Sequence, residues 1–249
     1  MINLDAIPLI RARNYTSGRR APVTMIVIHD MEAPETPTQA ENCAQYFAGP
    51  NSPQASAHYC CDSDSVVCSV LPSDEAWHSA YGPTNACSVG IEQAGYAAED
   101  SHEWLDAFGQ AMIFGQVAPL VAALCDRYEI PVRFLDADAM RAGNLTGITT
   151  HGAISEAFVP GGHTDPGPGY PMAEMLAHVR SILDPTPEDD EMTSAIGRDA
   201  KTGTIFHICG AVKVPLTDQK SVDLLTFLGA KWLGDLPPEW LGSLGTLKA

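Results

Sequence analysis

Apolar positions along the chain alternate between short unbroken runs and longer stretches of helical spacing. VTMIVIHD (23–30) is a continuous apolar, β-branched run that ends in a polar pair. Such a run suits a buried central strand whose last residues emerge at the end of a sheet. PETPTQAENCAQYF comes next, with Thr36 or Thr38 set as a cap and an amide or acid three residues later, so a helix is predicted there. SAHYCCDSDSVVCSVL reads as two strands joined by the DSDS turn, and CSVGIEQAGY (87–96) as another buried strand carrying one acid, Glu92, among apolar neighbours. From His102 to Tyr128 the spacing of Trp104, Phe108, Met112, Val117, Leu120, Val121 and Leu124 is helical, with Pro119 as a kink point. GITTH forms a short strand leading to His151, a loop follows, and PMAEMLAHVRSIL makes a last helix with Pro171 in its first turn.

Strands alternating with helices predict an α/β domain over residues 1–183, a mixed central sheet flanked by helices. DPTPEDDEM (184–192) has five acids and two prolines and reads as a linker. In residues 193–249, GTIFHICGAVKVPL reads as a hairpin turning at Cys209-Gly210 and SVDLLTFLGAKW as a short amphipathic helix. Together they predict a small C-terminal α+β module.

Composition narrows the chemistry. The chain has 249 residues, 45% apolar and 18% charged, enough for one sizeable core and a small appendage. A formal net charge of -17 argues against nucleic acid or an anionic membrane surface as the partner, because a polyanion would be repelled. No unbroken apolar run reaches the ~18–20 residues of a membrane helix, so no membrane insertion is expected. MINLDAIPLIRAR lacks the charged-then-apolar order of a secretory signal, so a cytosolic location is expected. The cysteines are odd in number, seven, without CxxC spacing, and are read as reduced, buried thiols.

Of the eight histidines, His29, His151 and His163 fall where strands end or a loop turns. A catalytic zinc takes three protein ligands, commonly histidine with a carboxylate or thiolate, and leaves a fourth position open. His29 and His151 end two apolar strands, where neighbouring strand ends can bring them to one ion. The third donor comes from GGHTDPGPGY (161–170), in which alternation lets His163 and Asp165 face one side. Pro166, Pro168 and Pro171 with Gly167 and Gly169 hold this loop stiff. A cysteine peptidase built on Cys60 or Cys61 with His58 is a competing class, but both thiols lie in a predicted strand rather than at a helix start.

IVIHDME, SAHYCCDSDS, EAWHSA, SVGIEQAG, TTHGAI and HTDPGPGYP, in that order, resemble the type 2 N-acetylmuramoyl-L-alanine amidases, a family that shares its fold with peptidoglycan recognition proteins and includes many phage endolysins. The likeness spans residues 14–183. It implies a zinc enzyme that cleaves the bond between N-acetylmuramic acid and L-alanine in bacterial peptidoglycan. It further implies His29, His151 and Asp165 as the metal ligands and Glu92 as the group that handles protons. The family's lysine at the oxyanion position is His163 here, an imidazole that can donate in its place; His163 as third ligand, with Asp165 orienting it, is the competing assignment. Trp77 and His78 resemble the W-H-A-G element at the substrate groove, where they would meet sugar or peptide. His58 is expected to pack beneath the sheet. A lysin of this kind would wait in the host cytoplasm until release, with the C-terminal module binding the wall. A relative that only binds peptidoglycan, without hydrolysis, is the alternative class, and the presence of a full set of ligand candidates argues against it.

Overall fold

The computed structural model describes residues 2–184, 195–202, 204–209, 212–215, 231–236 and 245–246. They belong to two compact units, Met1–Leu183 and Asp184–Ala249. The first unit begins with β1 (Met25–Asp30), α1 (Gln39–Ala48), the hairpin β2 (Tyr59–Cys61) and β3 (Val66–Cys68), then α2 (Gly82–Cys87) and β4 (Ser88–Gln93). It continues through α3 (Ser101–Trp104), α4 (Ala107–Met112), a π-helical turn at Ile113–Val117, α5 (Ala118–Tyr128) and α6 (Ala137–Arg141). It closes with β5 (Gly147–Thr150), α7 (His151–Phe158) and α8 (Met172–Leu183).

These strands form a mixed sheet in the order β3-β2-β4-β1-β5. β1 is parallel to both neighbours, β4 and β5, and β2 is parallel to β4, while only β3 runs antiparallel. The unbroken apolar run of β1 follows from this central place, since both of its faces are covered. Ile26 and Ile28 face the main core with Val89, Ile91 and Ile148 and the helices around Leu120 and Val179. Met25 and Val27 face the other way, against Leu135, Met140 and Ile154. Each fully buried side chain of this size contributes about 1.5–3 kcal/mol. On that second face α1 covers β2 and β3 through Ala40, Cys43, Ala44 and Phe47, with Cys60 and Val67 beneath them.

The predicted helix from His102 to Tyr128 is built in pieces. Asp100 and Glu103 form a reciprocal capping box that starts α3, and Asp106 caps a new start at Gly109 N. Ahead of Pro119, Ala118 N–H donates to Ile113 O five residues back, which gives the π turn. Proline has no N–H for the carbonyl four residues before it, and the widened turn accommodates that loss. The stretch Ala107–Tyr128 is, by length and composition, long and apolar enough to cross a membrane, although Gln110, Gln116, Asp126 and Arg127 interrupt its apolar run. Its Met112, Ile113, Val117, Leu120, Val121 and Leu124 are fully buried in the core.

Thr38 flanks α1 as predicted but makes no side-chain cap; Asp62, in the β2–β3 turn, instead accepts from Ala40 N at 2.9 Å. Arg20 clamps the buried Glu75 through its backbone N at 2.6 Å and its guanidinium at 2.7 Å. These bonds hold the Glu75 carboxyl below its ordinary value. A depressed carboxyl adds stability that is present above its unfolded value of ~4.3 and is lost as pH falls through the folded one. Urea midpoints measured against pH should therefore fall less steeply below about pH 4.3 in Arg20→Met than in the wild type. Identical acid limbs would contradict the clamp.

The second unit contains β6 (Ala195–Asp199), β7 (Ile205–Cys209), β8 (Val212–Pro215), β9 (Lys231–Leu236) and β10 (Gly245–Thr246), in the order β10-β8-β7-β6-β9. β7 and β8 pair antiparallel across the predicted hairpin. Of the predicted helix over SVDLLTFLGAKW, residues 221–230 lie outside the described ones, and Lys231 and Trp232 are strand instead. The acidic stretch beyond Asp184 also lies outside them.

Candidate metal centre

Parallel strands β1, β4 and β5 end on the same side of the sheet, where open α/β sheets present their ligand sites. His29 is the fifth residue of β1 and, by alternation, shares the face of Met25 and Val27. His29 and Glu92 are direct partners in the β1–β4 ladder. β5 ends at Thr150, whose side chain caps α7 by accepting from Ala153 N, and His151 is the first residue of that helix. Asp165 comes from the loop before α8. That loop is pinned where Gly152 N donates to Asp165 O at 2.8 Å and His163 N donates to Ser155 Oγ at 3.0 Å. Gly167 has φ +83° and lies so close to Ala97 O that no Cβ would fit.

The three side chains converge. His29 Nδ1 lies 3.2 Å from His151 Nδ1 and 3.1 Å from Asp165 Oδ2, and His151 Nδ1 lies 3.1 Å from Asp165 Oδ1. All three residues are buried, and together they form a group able to hold a metal ion. Burial pushes the His29 pKa down, with Asp165 only partly opposing it. For Asp165 burial acts to raise the pKa, but hydrogen bonds from His151 and His29 outweigh it and hold the carboxyl below its ordinary range. The centre thus presents two imidazoles and an ionised carboxylate to one point.

Glu92 lines a cavity of ≈ 560 Å³ together with these groups, Trp77 and Phe47. Burial, and then the negative charge of Asp165, raises Glu92 well above the ordinary carboxyl range. His163 is exposed and stacks on His151 with ring centroids 4.2 Å apart; its Nδ1 is 3.7 Å from Asp165 Oδ1. Trp77 stands on the rim, 37% exposed, with Nε1 donating to Thr16 Oγ1 at 2.9 Å. His78 is buried, and both ring nitrogens are taken up within the protein: Nδ1 lies 3.0 Å from His29 Nε2 and Nε2 lies 3.0 Å from Ser88 Oγ. Sequence reasoning missed Ser88, although alternation along SVGIE places Ser88, Gly90 and Glu92 on one face.

The cysteine-based alternative finds no support in this geometry. Cys60 and Cys61 lie in β2 and are fully buried, and burial pushes the Cys61 thiol well up. His58 is buried as expected, with Nδ1 accepting from Gly90 N and Nε2 beside Arg19 Nη2 at 2.8 Å.

A mixed sheet that gathers imidazole and carboxylate donors at its strand ends, beside an acid held in a cleft, defines a hydrolase fold with a centre able to hold a divalent cation. The chain belongs to the N-acetylmuramoyl-L-alanine amidase family: the Amidase_2 model matches residues 19–168. The chain is similar in fold to a selenomethionine derivative of AmpD, with TM-score 0.50 and 22% identity over 71% of this chain and 96% of that one. It is also similar to the Staphylococcus aureus hydrolase AmiA, solved in complex with its ligand, with TM-score 0.50 and 17% identity over 73% and 86% of the two chains. No curated protein matches.

Proposed function

We propose that this amidase is zinc-dependent, that it cleaves the amide between the lactyl group of N-acetylmuramic acid and L-alanine, and that it serves as a phage endolysin kept in the host cytoplasm until release. The observation that carries the reading is the convergence of His29 Nδ1 and His151 Nδ1, 3.2 Å apart, on the Asp165 carboxylate, whose two oxygens each lie 3.1 Å from one of the imidazoles. Tetrahedral zinc with bonds of ~2.0–2.1 Å needs ligand atoms about 3.3–3.4 Å apart, so the donor set fits in kind and the two imidazole nitrogens, 3.2 Å apart, fit in spacing. His163, exposed on the rim, lies outside that group, which favours Asp165 as the third ligand.

When bound there, zinc supplies a Lewis acid for the scissile carbonyl and the attacking water. Glu92 accepts a proton from that water on its carboxylate and passes it to the departing nitrogen of alanine. His163 offers an N–H to the oxygen on which negative charge develops. Trp77 turns an aromatic face to the cleft for sugar or peptide. The second unit is assigned wall binding.

Purified protein incubated with peptidoglycan should release new amino groups that belong to alanine, and a chelator should stop the release until zinc is restored. New reducing sugar ends in place of amino groups would overturn the amidase reading. Comparing residues 1–183 with the full chain tests the second unit: action on whole walls should weaken while hydrolysis of soluble muropeptide is unchanged.

A further inference from the structure

His78 sits behind the metal centre, and a chain of hydrogen bonds runs from it to a fixed end. Ser88 Oγ lies 2.6 Å from Thr84 O, a carbonyl that can only accept, so the serine proton is committed there. Ser88 Oγ can then only accept from His78 Nε2 at 3.0 Å, which places a proton on Nε2. The remaining ring contacts of His78 are with His29 and His58, both imidazoles, so the buried ring is neutral and its Nδ1 is bare. Across the 3.0 Å contact His29 Nε2 must therefore carry a proton and donate it, which makes His29 Nδ1 the nitrogen left for an ion. Nδ1 faces His151 and Asp165, where an ion would take the place of any proton shared with the carboxylate.

We infer that His78 is a positioning residue for the metal: with Ser88 it fixes His29 in the tautomer that presents Nδ1 to the ion. The inference rests on the zinc reading above and departs from the substrate-contact role that the W-H sequence suggests for His78. β4 is shaped for the arrangement. A Cβ on Gly90 would come within 2.6 Å of His78 Cγ, so a glycine between Ser88 and Glu92 is what lets the imidazole lie on the sheet. Metal-bound histidines ordinarily donate their other nitrogen to a carboxylate, a backbone carbonyl or water. Here an imidazole takes that place, and its own proton is anchored by a serine.

Two readings test this. Long-range ¹H–¹⁵N spectra of the zinc-free protein should show His78 as the Nε2–H tautomer; the Nδ1–H tautomer would overturn the inference. Chelator competition should show zinc affinity falling about 10–100-fold in His78→Leu and Ser88→Ala, while His78→Asn, whose Oδ1 can still accept from His29, stays near the wild type. Equal affinity in all of these folded proteins would also overturn it. If His78→Leu does not fold, Ser88→Ala and the wild-type tautomer decide. A wild type that binds no zinc would instead count against the zinc reading itself.

Discussion

Replacing His29, His151 or Asp165 by alanine should remove both the metal and the activity. Two remaining donors cannot define a catalytic site that needs three protein ligands. A Lewis acid contributes several kcal/mol to transition-state stabilisation, and at 1.36 kcal/mol per factor of ten its loss amounts to about 10³-fold or more in rate. The loss should appear in metal content first, measured by elemental analysis on protein whose circular dichroism is unchanged. Asp165→Ala carries the most information of the three. Asp165 touches both imidazoles at 3.1 Å, whereas His163 approaches the group only at 3.7 Å. Full zinc content in Asp165→Ala would show that another donor, His163 being the nearest, completes the site.

Glu92→Gln should lower kcat by ~10²–10⁴ while one zinc per chain stays bound and KM changes little. The amide keeps the volume of the carboxyl and its place on β4 opposite His29, but it cannot accept a proton. A uniform loss of binding would raise KM instead, so measuring kcat and KM separately distinguishes the proton-transfer role from a contact with substrate. A variant within tenfold of wild-type kcat would remove Glu92 from the mechanism.

The parts of the fold that rest on local pattern were legible in the chain. VTMIVIHD becomes the central strand because both its faces are covered, and the DSDS turn joins β2 to β3 as its composition indicates. The HTD loop sits beside His29 and His151 as its turn formers and strand-end neighbours suggest. What escaped depends on contacts distant in sequence or on very short elements. α7 has eight residues and is followed by Pro160, Gly161 and Gly162, so the breakers masked a helix that only the Thr150 cap announces. The start of α1 is capped by Asp62 across the fold, which no local rule around Thr38 could reveal. The His102–Tyr128 stretch kept its period but not its continuity, because the capping box and Asp106 restart the helix. His78 reads as a groove residue from W-H and does line the cavity, but that its ring packs on the sheet depends on the missing Cβ of Gly90 on another element.

The central claim, that His29, His151 and Asp165 hold one zinc on which hydrolysis depends, is tested most directly by titration of the chelator-stripped protein. Zinc added in steps should restore release of alanine amino groups in proportion, with a break at one equivalent per chain, and Asp165→Ala should show neither tight binding nor recovery. Full activity in the stripped protein, or recovery of Asp165→Ala along the wild-type curve, would contradict it.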